Sequence, residues 1–423
     1  MWERVATTRQ QDRVLHGAAR AANVVIGLIA LPLWLLGQRI GTWLRRFLGR
    51  NGTAIALPVP TPGERSMSAL MTELERIPSR LRPERTALLR RGLLDISSFV
   101  ISQHREAANI GYAYPAQFAD RVIESADGEP IGATVALHPE PRPGLVVCHG
   151  AFSTRRFDYV RQIAVTAFYD WGFNVAAIDL RSFGLTELIG KAVNTGGWKE
   201  GEDVIAAADW LKEHGATSVG AIGISLGASS VLGACHPEGA EIALSGGVLA
   251  VSPPANVRRV AARVSEHVPR GHPRYPITVG FRSMLTSRVR GGRWPEDVES
   301  LDEYLERIAA PHYGVLPEEL FRRSSAVNHI ADARVPVLVL HPTDDYIIKV
   351  EEARELAEAA RENDLVHVWI LPGGSHGVLD VVDHDWTYGV YRTFFERWAD
   401  YPSRGAPTPV AATDGHAPAT ANP

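Results

Sequence analysis

Continuous apolar runs alternate with amphipathic segments through the central part of the chain. The runs are short and rich in Val, Ile, Leu and Ala, and the segments between them carry apolar residues at helical spacing. Runs without polar alternation are typical of strands buried on both faces, which occur in parallel sheets covered by helices. The pattern therefore predicts an α/β fold with a mostly parallel central sheet and helices on both of its faces.

The individual elements follow from this alternation. The predicted strands are GLVVCHG, NVAAIDL, SVGAIGI, GGVLAVS, VPVLVL and VHVWIL. Helices are predicted near residues 159–170 and 202–214, directly after residue 225, and near 351–362 and 381–398. A hairpin, ADRVIESADGEPIGATVAL, is predicted before the first of these strands, with its turn at Asp127-Gly128.

Residues 21–37 form the longest apolar run without a charged residue. As a helix, at about 1.5 Å per residue, the run would be roughly 25 Å long, slightly less than the roughly 30 Å hydrocarbon core of a bilayer. We predict that residues 1–50 hold a single anchor at the cell membrane or a helix lying in the membrane plane; a helix packed against the domain is the alternative. A cleaved signal peptide fits poorly, because no small-x-small site ends the run.

The charges that flank the apolar run do not predict on which side of the membrane the main domain lies. Equal numbers of arginines precede and follow the apolar run, so the positive-inside rule predicts no orientation. These residues are Arg4, Arg9, Arg13 and Arg20 on one flank and Arg39, Arg45, Arg46 and Arg50 on the other.

The composition of residues 51–423 indicates four further segments of the chain. Residues 51–65 are rich in Pro and Gly and are interpreted as a linker. Residues 66–118 are predicted to be a helical extension, with amphipathic patterns near 67–77 and 83–104. The main domain is predicted to span residues 119–401, and the tail at 402–423, which has no core-forming run, is predicted to be disordered.

Charge and cysteine content exclude some classes of function. The chain has 423 residues with a net charge of −4, and its pI is near 6.4, so it has no overall positive charge for binding nucleic acid. Cys148 and Cys235 are its two cysteines, too few for a disulfide framework. Both lie in apolar stretches, which indicates buried thiols.

Ser225 lies between Gly223 and Gly227, after a predicted strand and before a stretch of small residues with helical character. This arrangement is typical of a nucleophile elbow, a tight turn that exposes a serine hydroxyl and needs small neighbours. An ordinary glycine-bounded turn is the alternative. The position favours the elbow, because active sites of open parallel sheets lie at the carboxyl ends of the strands.

Partners for a nucleophilic serine occur at two further strand ends. Acyl transfer by serine needs a base, an acid that orients the base, and amide donors for the oxyanion. Asp344 and Asp345 follow the strand VPVLVL, and His376 lies in a glycine-rich loop after VHVWIL. The order serine, aspartate, histidine is that of the α/β-hydrolases.

Four segments together resemble the α/β-hydrolase superfamily over residues 119–398. Residues 149–151 resemble its oxyanion loop, 179–186 its Asp-x-Arg-Gly-x-Gly-x-Ser segment, and 223–227 its elbow. Residues 341–350, HPTDDYIIKV, resemble its His-Gly-x-x-Asp-x-x-Val-Pro segment. FDYVRQIA together with GISLGA also resembles the YheT/EMB8-like branch.

The resemblance implies a role for each candidate residue. Ser225 would be the nucleophile and His376 the general base and then the general acid. Counting along HPTDDYIIKV puts the orienting acid at Asp345, although Pro342 and Lys349 replace the usual Gly and Pro, so Asp344 stays as an alternative. The backbone amides of Ala151 and Leu226 would form the oxyanion hole, with no cofactor and no metal.

Other polar residues have structural interpretations. We expect His149, His329 and His341 to be hydrogen-bonded and structural, and Arg181 to brace a loop through carbonyl contacts. Residues 383–385, Asp-His-Asp, could suggest a metal site, but no further ligand spacing supports one, and a solvated helix start is preferred.

Residues 253–334, the cap, interrupt the alternation of strands and helices with helical patterns near 255–268, 301–309 and 317–325. In this fold an insertion here would cover the serine and select the acyl and leaving groups. Its aromatic residues would line an apolar pocket or pack among themselves. They are Tyr275, Phe281, Trp294, Tyr304, Tyr313 and Phe321.

The sequence thus predicts a membrane-associated serine hydrolase that acts on a carboxylic ester or thioester of an apolar or lipid-like compound. Amide hydrolysis or acyl transfer to another acceptor is the alternative on the same triad. A noncatalytic binding or scaffold protein with the same fold is the alternative from another class. The sequence indicates no oligomeric state.

The apolar run generates a first prediction. We expect the full chain to fractionate with membranes and to resist a high-salt wash, because burial of apolar surface is not screened by ions. Deletion of residues 1–50 should release a soluble domain that still hydrolyses small esters, since every triad candidate lies far from the deletion. An intact chain that is soluble without detergent, and a deletion that destabilises the domain, would instead indicate a helix packed on the domain.

Overall fold

A computed structural model describes residues 64–82, 114–236, 239–269, 278, 295, 297–377 and 379–400. Several predictions concern residues outside these ranges: the apolar run, most of the linker, the second helical pattern of the extension, and the tail. Within the described residues, no helix combines the length and the apolar character needed to cross a bilayer.

The described strands form one sheet in the order β1-β2-β4-β3-β5-β6-β7-β8. β1 and β2 form the predicted hairpin, β2 pairs antiparallel with β4, and the remaining pairs are parallel, as predicted. The strands are β1 (Ala119–Glu124), β2 (Pro130–Ala136), β3 (Arg142–Cys148), β4 (Asn174–Ile178), β5 (Ala216–Ile224), β6 (Val248–Val251), β7 (Val337–Pro342) and β8 (Val366–Leu371).

Helices cover both faces of this sheet, so the predicted α/β architecture is confirmed. In chain order they are α1 (Met67–Leu74), α2 (Asp158–Tyr169), α3 (Gly184–Ile189), α4 (Trp198–Glu213), α5 (Leu226–Gly233), α6 (Ala240–Ala243), α7 (Val257–Ser265), α8 (Leu301–Tyr304), α9 (Ala310–His312), α10 (Pro317–Ser324), α11 (Val350–Ala359), α12 (Leu379–Val382) and α13 (His384–Trp398). A π-helical segment, Leu305–Ala309, joins α8 to α9.

Alternate residues of each strand belong to two separate hydrophobic cores. In β3, Val146 packs with residues of α4 and α5, whereas Leu145 and Val147 pack with residues of α1, α2 and α13. This division follows from the period of two along a strand, which sends successive side chains to opposite faces. Each strand must be apolar on both faces, which explains the continuous apolar runs in the sequence.

The element boundaries differ from prediction where local hydrogen bonds decide them. Helix α4 begins at Trp198, several residues before the predicted start, because Glu200 accepts hydrogen bonds from the backbone amides of Thr195 and Gly197 and caps the helix. The short helix α3 was not predicted, because six residues are too few to show a helical period.

The cap is attached to the domain through buried Glu352 of α11. Its carboxylate accepts hydrogen bonds from the backbone amides of Ala255 and Asn256 and from Arg259 Nε. Asn256 is also the N-cap of α7, so one carboxylate fixes the place where this helix begins.

The described cap aromatics divide between the two predicted roles. Tyr304 and Phe321 are both buried in one core, and Tyr304 also lines the cavity beside Ser225. Tyr313 donates a hydrogen bond to the Val193 carbonyl and packs against Trp198. Tyr275, Phe281 and Trp294 lie outside the described residues.

Cys148 and Cys235 are both free and buried, as predicted. Burial raises the pKa of each thiol well above its usual value, so both stay protonated at neutral pH. Cys235 Sγ donates a hydrogen bond to the Val231 carbonyl, and neither thiol has the character of a reactive nucleophile.

Arg181 is buried and joins four separate parts of the fold. It donates hydrogen bonds to Asp203 of α4, to Asp127 at the turn of the β1–β2 hairpin, and to the Tyr313 hydroxyl of the cap. The predicted carbonyl partners were wrong. Carboxylates take their place because a buried guanidinium is tolerated when opposite charges neutralise it.

Removal of this buried cation generates a second prediction. Arg181→Leu should lower the free energy of unfolding by about 3–5 kcal/mol, because the Asp203 carboxylate would be left buried without its partner. Arg156→Leu is the matched control, since the Arg156–Asp120 pair is partly exposed and should contribute at most about 1 kcal/mol. Urea unfolding followed by tryptophan fluorescence measures both, and equal losses would contradict the prediction.

Candidate active site

Ser225 occupies the turn between β5 and α5, with a positive φ of 58° and ψ of −117°. A Cβ at Gly223 would collide with the Gly227 carbonyl, and a Cβ at Gly227 would lie 2.5 Å from the Cys148 carbonyl oxygen. Both positions therefore require glycine. This crowding is typical of a nucleophile elbow and is not required by an ordinary turn.

Backbone strain is concentrated at the carboxyl ends of the strands. Each described non-glycine residue with positive φ lies shortly after a strand. These residues are Phe152 after β3, Ser182 after β4, Ser225 after β5, Ser252 after β6 and Ser375 after β8. Such conformations cost about 1–3 kcal/mol each and cluster at functional sites.

His376 and Asp345 are joined by a hydrogen bond of 2.8 Å between Nδ1 and Oδ2. Asp345 is buried, and its Oδ1 accepts from the backbone amides of Ile347 and Ile348 at 2.9 Å each. Burial alone would raise the pKa of this carboxyl, but His376, the charge of His341 and the Ile348 amide together outweigh it and hold the pKa below its usual value. A carboxylate at Nδ1 fixes the proton there and leaves Nε2 available as a base.

Asp344 has a different contact. Its Oδ1 accepts a hydrogen bond of 2.8 Å from the Ser375 backbone amide, one residue before His376. Asp344 therefore positions the loop after β8 that carries His376, here called the histidine loop, whereas Asp345 contacts the imidazole itself. The geometry favours Asp345 of the two candidates that the sequence left open.

The histidine loop packs beside the elbow. A Cβ at Gly377 would lie 2.8 Å from Ile224 Cγ2, so the residue after His376 is in contact with the residue before Ser225. Among the described residues no hydrogen bond joins Ser225 to His376. Such bonds are often long in free enzymes and shorten when substrate binds.

The loop after β3 lies against Ser225. A Cβ at Gly150 would be 3.4 Å from Ser225 Cβ, and Ala151, the next residue, lines the same cavity as Ser225. In the part of the chain described here, the backbone amides of Ala151 and Leu226 have no hydrogen-bond acceptor. Two unpaired amides on either side of a serine are suited to stabilise an oxyanion.

Tyr159 holds this loop and was missed by the sequence reasoning. Its hydroxyl accepts a hydrogen bond of 2.7 Å from the Gly150 amide and donates one of 3.1 Å to Ser153 Oγ. Burial raises the pKa of Tyr159 to about 12, so the phenol stays protonated at neutral pH. The sequence signal is Tyr159 itself, an aromatic residue with a hydroxyl that lies nine residues after Gly150 in the stretch FDYVRQIA.

His149 and His341 have structural contacts, as predicted. His149 Nδ1 contacts the Gly150 carbonyl at 2.7 Å, and its Nε2 accepts from the Leu180 amide at 3.0 Å, so the ring connects the loops after β3 and β4. His341 Nε2 contacts the Ile348 carbonyl at 3.0 Å.

The hydrogen-bonded role predicted for His329 is wrong. Both of its ring nitrogens are buried without a partner in the described part of the chain, and the ring packs against His236 with centroids 4.4 Å apart. Burial lowers the pKa of His329 to about 3, so the imidazole is uncharged at neutral pH.

The Asp-His-Asp stretch begins helix α13, as predicted, but its first residue, the N-cap Asp383, is buried and not solvated. Its side chain accepts from the Trp386 amide and from the Arg80 amide, which explains its burial. Within the ranges that the structure describes, no three His, Cys, Asp or Glu side chains are grouped so that they could hold a metal ion.

A cavity of about 100 Å³ opens beside Ser225, between the strand ends and the cap. Its described lining is mainly aliphatic and aromatic and includes no Asp, Glu, Lys, Arg or His. The lining consists of Ala151, Phe152, Ser182, Phe183, Asn194, Gly196, Ser225, Leu226, Ser229, Pro254, Val257, Val260, Ala261, Val264, Leu301, Tyr304, Leu305, Ile347 and Ile348. The loop that carries Asp345 therefore reaches the same cavity as the serine.

Comparison with known families identifies one match. The family model described as Hydrolase_4, serine aminopeptidase, S33, matches residues 139–382, more than half of the chain. The match includes Ser225, Asp345 and His376. It confirms the predicted α/β-hydrolase resemblance, whereas the YheT/EMB8-like branch stays a prediction. No curated protein is significantly similar to the chain in sequence.

Several solved structures are similar over about two thirds of the chain. The esterase Pf2001 of Pyrococcus furiosus is 20% identical over 66% of this chain and 92% of its own, with a TM-score of 0.48. A puromycin-hydrolyzing peptidase of Mycobacterium tuberculosis is 18% identical over 66% and 40%, with a TM-score of 0.46. XC6422 of Xanthomonas campestris, described as an α/β serine hydrolase without lid, is 16% identical over 69% and 99%, with a TM-score of 0.39.

The two adjacent aspartates generate a third prediction. Asp345→Asn should reduce ester turnover by about 10⁴-fold, because an amide at Nδ1 favours the wrong imidazole tautomer. Asp344→Asn makes the same chemical change next to it and should stay within about tenfold of wild type, since its amide oxygen can still accept from Ser375. Steady-state hydrolysis of a nitrophenyl ester measures both variants. The reverse ranking would refute the assignment of Asp345.

Proposed function

The chain belongs to the hydrolase family described as serine aminopeptidase, S33, and we propose that it cleaves carboxylic esters or thioesters through Ser225, His376 and Asp345. The observation that carries this proposal is the strained elbow of Ser225 beside two unpaired amides and a histidine already bonded to a carboxylate. A noncatalytic scaffold, the alternative from another class, would have no need for that strain.

The proposed reaction proceeds through an acyl-enzyme. Ser225 Oγ attacks the substrate carbonyl while His376 Nε2 takes its proton, and Asp345 stabilises the imidazolium that forms. The oxyanion accepts hydrogen bonds from the Leu226 and Ala151 amides, each worth roughly 3–4 kcal/mol in well-studied cases. His376 then protonates the leaving alcohol or thiol, and water releases the acyl group by the same steps in reverse.

The cavity favours a neutral, apolar acyl group over the amino terminus of a peptide. An aminopeptidase must hold a positively charged amino group close to the scissile bond, and a buried ammonium without a carboxylate partner is costly. The described lining offers no such carboxylate. The family description alone therefore does not make a peptide the preferred substrate of this chain. Amide hydrolysis and acyl transfer remain the alternatives on the same triad.

We further propose that the substrate is lipid-like and is met at the membrane. The predicted membrane segment at residues 21–37 would bring the catalytic domain close to the bilayer surface. A cavity of about 100 Å³ is small beside the roughly 300–1,000 Å³ of sites for drug-sized ligands, which favours a short acyl chain.

The nucleophile generates a fourth prediction. Ser225 should react with a fluorophosphonate probe, and Ser225→Ala should abolish labelling and reduce hydrolysis of a short-chain nitrophenyl ester by at least about 10³-fold. Ser230→Ala is the control, because it removes a hydroxyl from the same helix that bonds to the Leu226 carbonyl and does not line the cavity. This variant should keep its labelling.

The same assay separates the alternatives when the substrates are varied. Nitrophenyl esters of graded chain length should be hydrolysed fastest when short, and aminoacyl nitroanilides with a free amino group should react poorly. Faster cleavage of the nitroanilides would overturn the ester assignment in favour of a peptidase. A folded wild-type protein that is neither labelled nor active would support the scaffold.

A further inference from the structure

Two buried polar groups without partners lie in the wall of the otherwise apolar cavity. Asn194 Nδ2 and Ser229 Oγ are both buried, and neither has a hydrogen-bond partner among the residues that the structure describes. Among the described residues that line the cavity, only Asn194 and Ser229 carry a buried polar atom without a partner. Buried polar groups are nearly always hydrogen-bonded, so each exception needs an explanation.

The orientation of Asn194 is fixed by its other contacts. Its backbone amide donates to Ser182 Oγ at 2.9 Å and to Tyr304 Oη at 3.1 Å. Its side-chain Oδ1 accepts from the Gly196 amide at 3.0 Å. Because a backbone N–H can only donate, the oxygen must face Gly196, and the Nδ2 donors must lie on the other side of the amide.

Ser229 lies one helical turn beyond the proposed nucleophile. Its backbone amide donates to the Ser225 carbonyl at 3.1 Å. A Cβ at Gly197 would lie 2.9 Å from Ser229 Cβ, so the segment that begins at Asn194 runs against this serine. Asn194 and Ser229 both line the cavity, and the segment after Asn194 packs against Ser229.

The chemistry of these groups specifies what they can bind. Asn194 Nδ2 can only donate, and the Ser229 hydroxyl can donate and accept, so the complementary group must contain a hydrogen-bond acceptor. An anionic acceptor would be buried without a counter-charge, because no cation lines the described part of the cavity. The acceptor that fits is a neutral oxygen on an otherwise apolar chain.

We propose that Asn194 and Ser229 form a subsite for a neutral oxygen, so that the preferred substrates are esters whose apolar acyl chain carries a hydroxyl or oxo group. This inference rests on the proposed function for its catalytic consequence. The subsite selects the chain because an unsubstituted acyl group would leave both donors buried and unpaired, whereas an oxygen at the correct carbon satisfies them.

The test compares matched esters that differ by one oxygen. Values of kcat/KM are measured for nitrophenyl hexanoate and for the 4-oxo and 5-oxo hexanoates, each divided by its rate of hydrolysis by hydroxide to remove differences in intrinsic reactivity. At least one oxo ester should be preferred by at least about fivefold, the factor expected when an acceptor pairs a donor that would otherwise stay buried without a partner. Equal values for all three would overturn the proposal and indicate that the cavity holds only water at these groups.

Two variants then assign the preference to the two residues. Ser229→Ala removes an unpartnered hydroxyl, so it should fold normally and should reduce the preference at least about threefold. Asn194→Asp keeps an oxygen for the Gly196 amide but removes the two donors, and should reduce the preference as well. Thr387→Val is the control, because it removes an equally buried, unpartnered hydroxyl from α13 outside the cavity. A preference that survives in Ser229→Ala and Asn194→Asp would overturn the assignment.

A binding measurement separates this proposal from the proposed function. Calorimetry on Ser225→Ala with methyl 5-oxohexanoate, methyl 4-oxohexanoate and methyl hexanoate reports recognition without hydrolysis. If the wild-type protein hydrolyses no ester but the variant still binds an oxo ester more tightly, the subsite stands and the esterase function fails. If esters are hydrolysed but neither binding nor kcat/KM discriminates, the subsite fails and the esterase function stands.

Discussion

The approach of helix α5 to the end of β3 is the constraint on which the candidate site depends. At Gly227 the backbone comes so close to the Cys148 and His149 carbonyls that no side chain fits. This contact places the serine turn and the loop after β3 side by side, and Leu226 and Ala151 line the same cavity. A larger residue at Gly227 would push helix α5 away from the end of β3 and from the loop that follows it.

Buried charges hold the remaining loops around that contact. Arg155 and Asp179 form a buried pair at the ends of β3 and β4, and Asp179 also accepts from the Leu185 amide at the start of α3. Arg181 connects the loop after β4 to the cap and to the β1–β2 hairpin. Breaking one member of such a pair is strongly destabilising, so the loops resist separate movement.

The strands and the candidate site residues could be predicted, because each of them is marked by a pattern of neighbouring residues. Apolar runs gave the strands because a covered sheet is apolar on both faces, and the residues directly after those runs gave Ser225, Asp345 and His376. Contacts between distant segments could not be predicted in this way. The partners of Arg181 include Asp127, which is 54 residues away, and the Gly150 contact of Tyr159 depends on how α2 packs. The unpaired groups of Asn194 and Ser229 likewise emerge only when the cavity is assembled.

Ser252, directly after β6, is a position at which a substitution would raise the thermal stability of the protein. It combines a positive φ of 52° with a buried hydroxyl that has no partner among the described residues, and the proposed chemistry uses neither property. Glycine adopts this backbone conformation without steric cost and removes the unpaired oxygen. Natural selection at higher temperatures could therefore act on a strand end beside the triad while leaving each of its members unchanged.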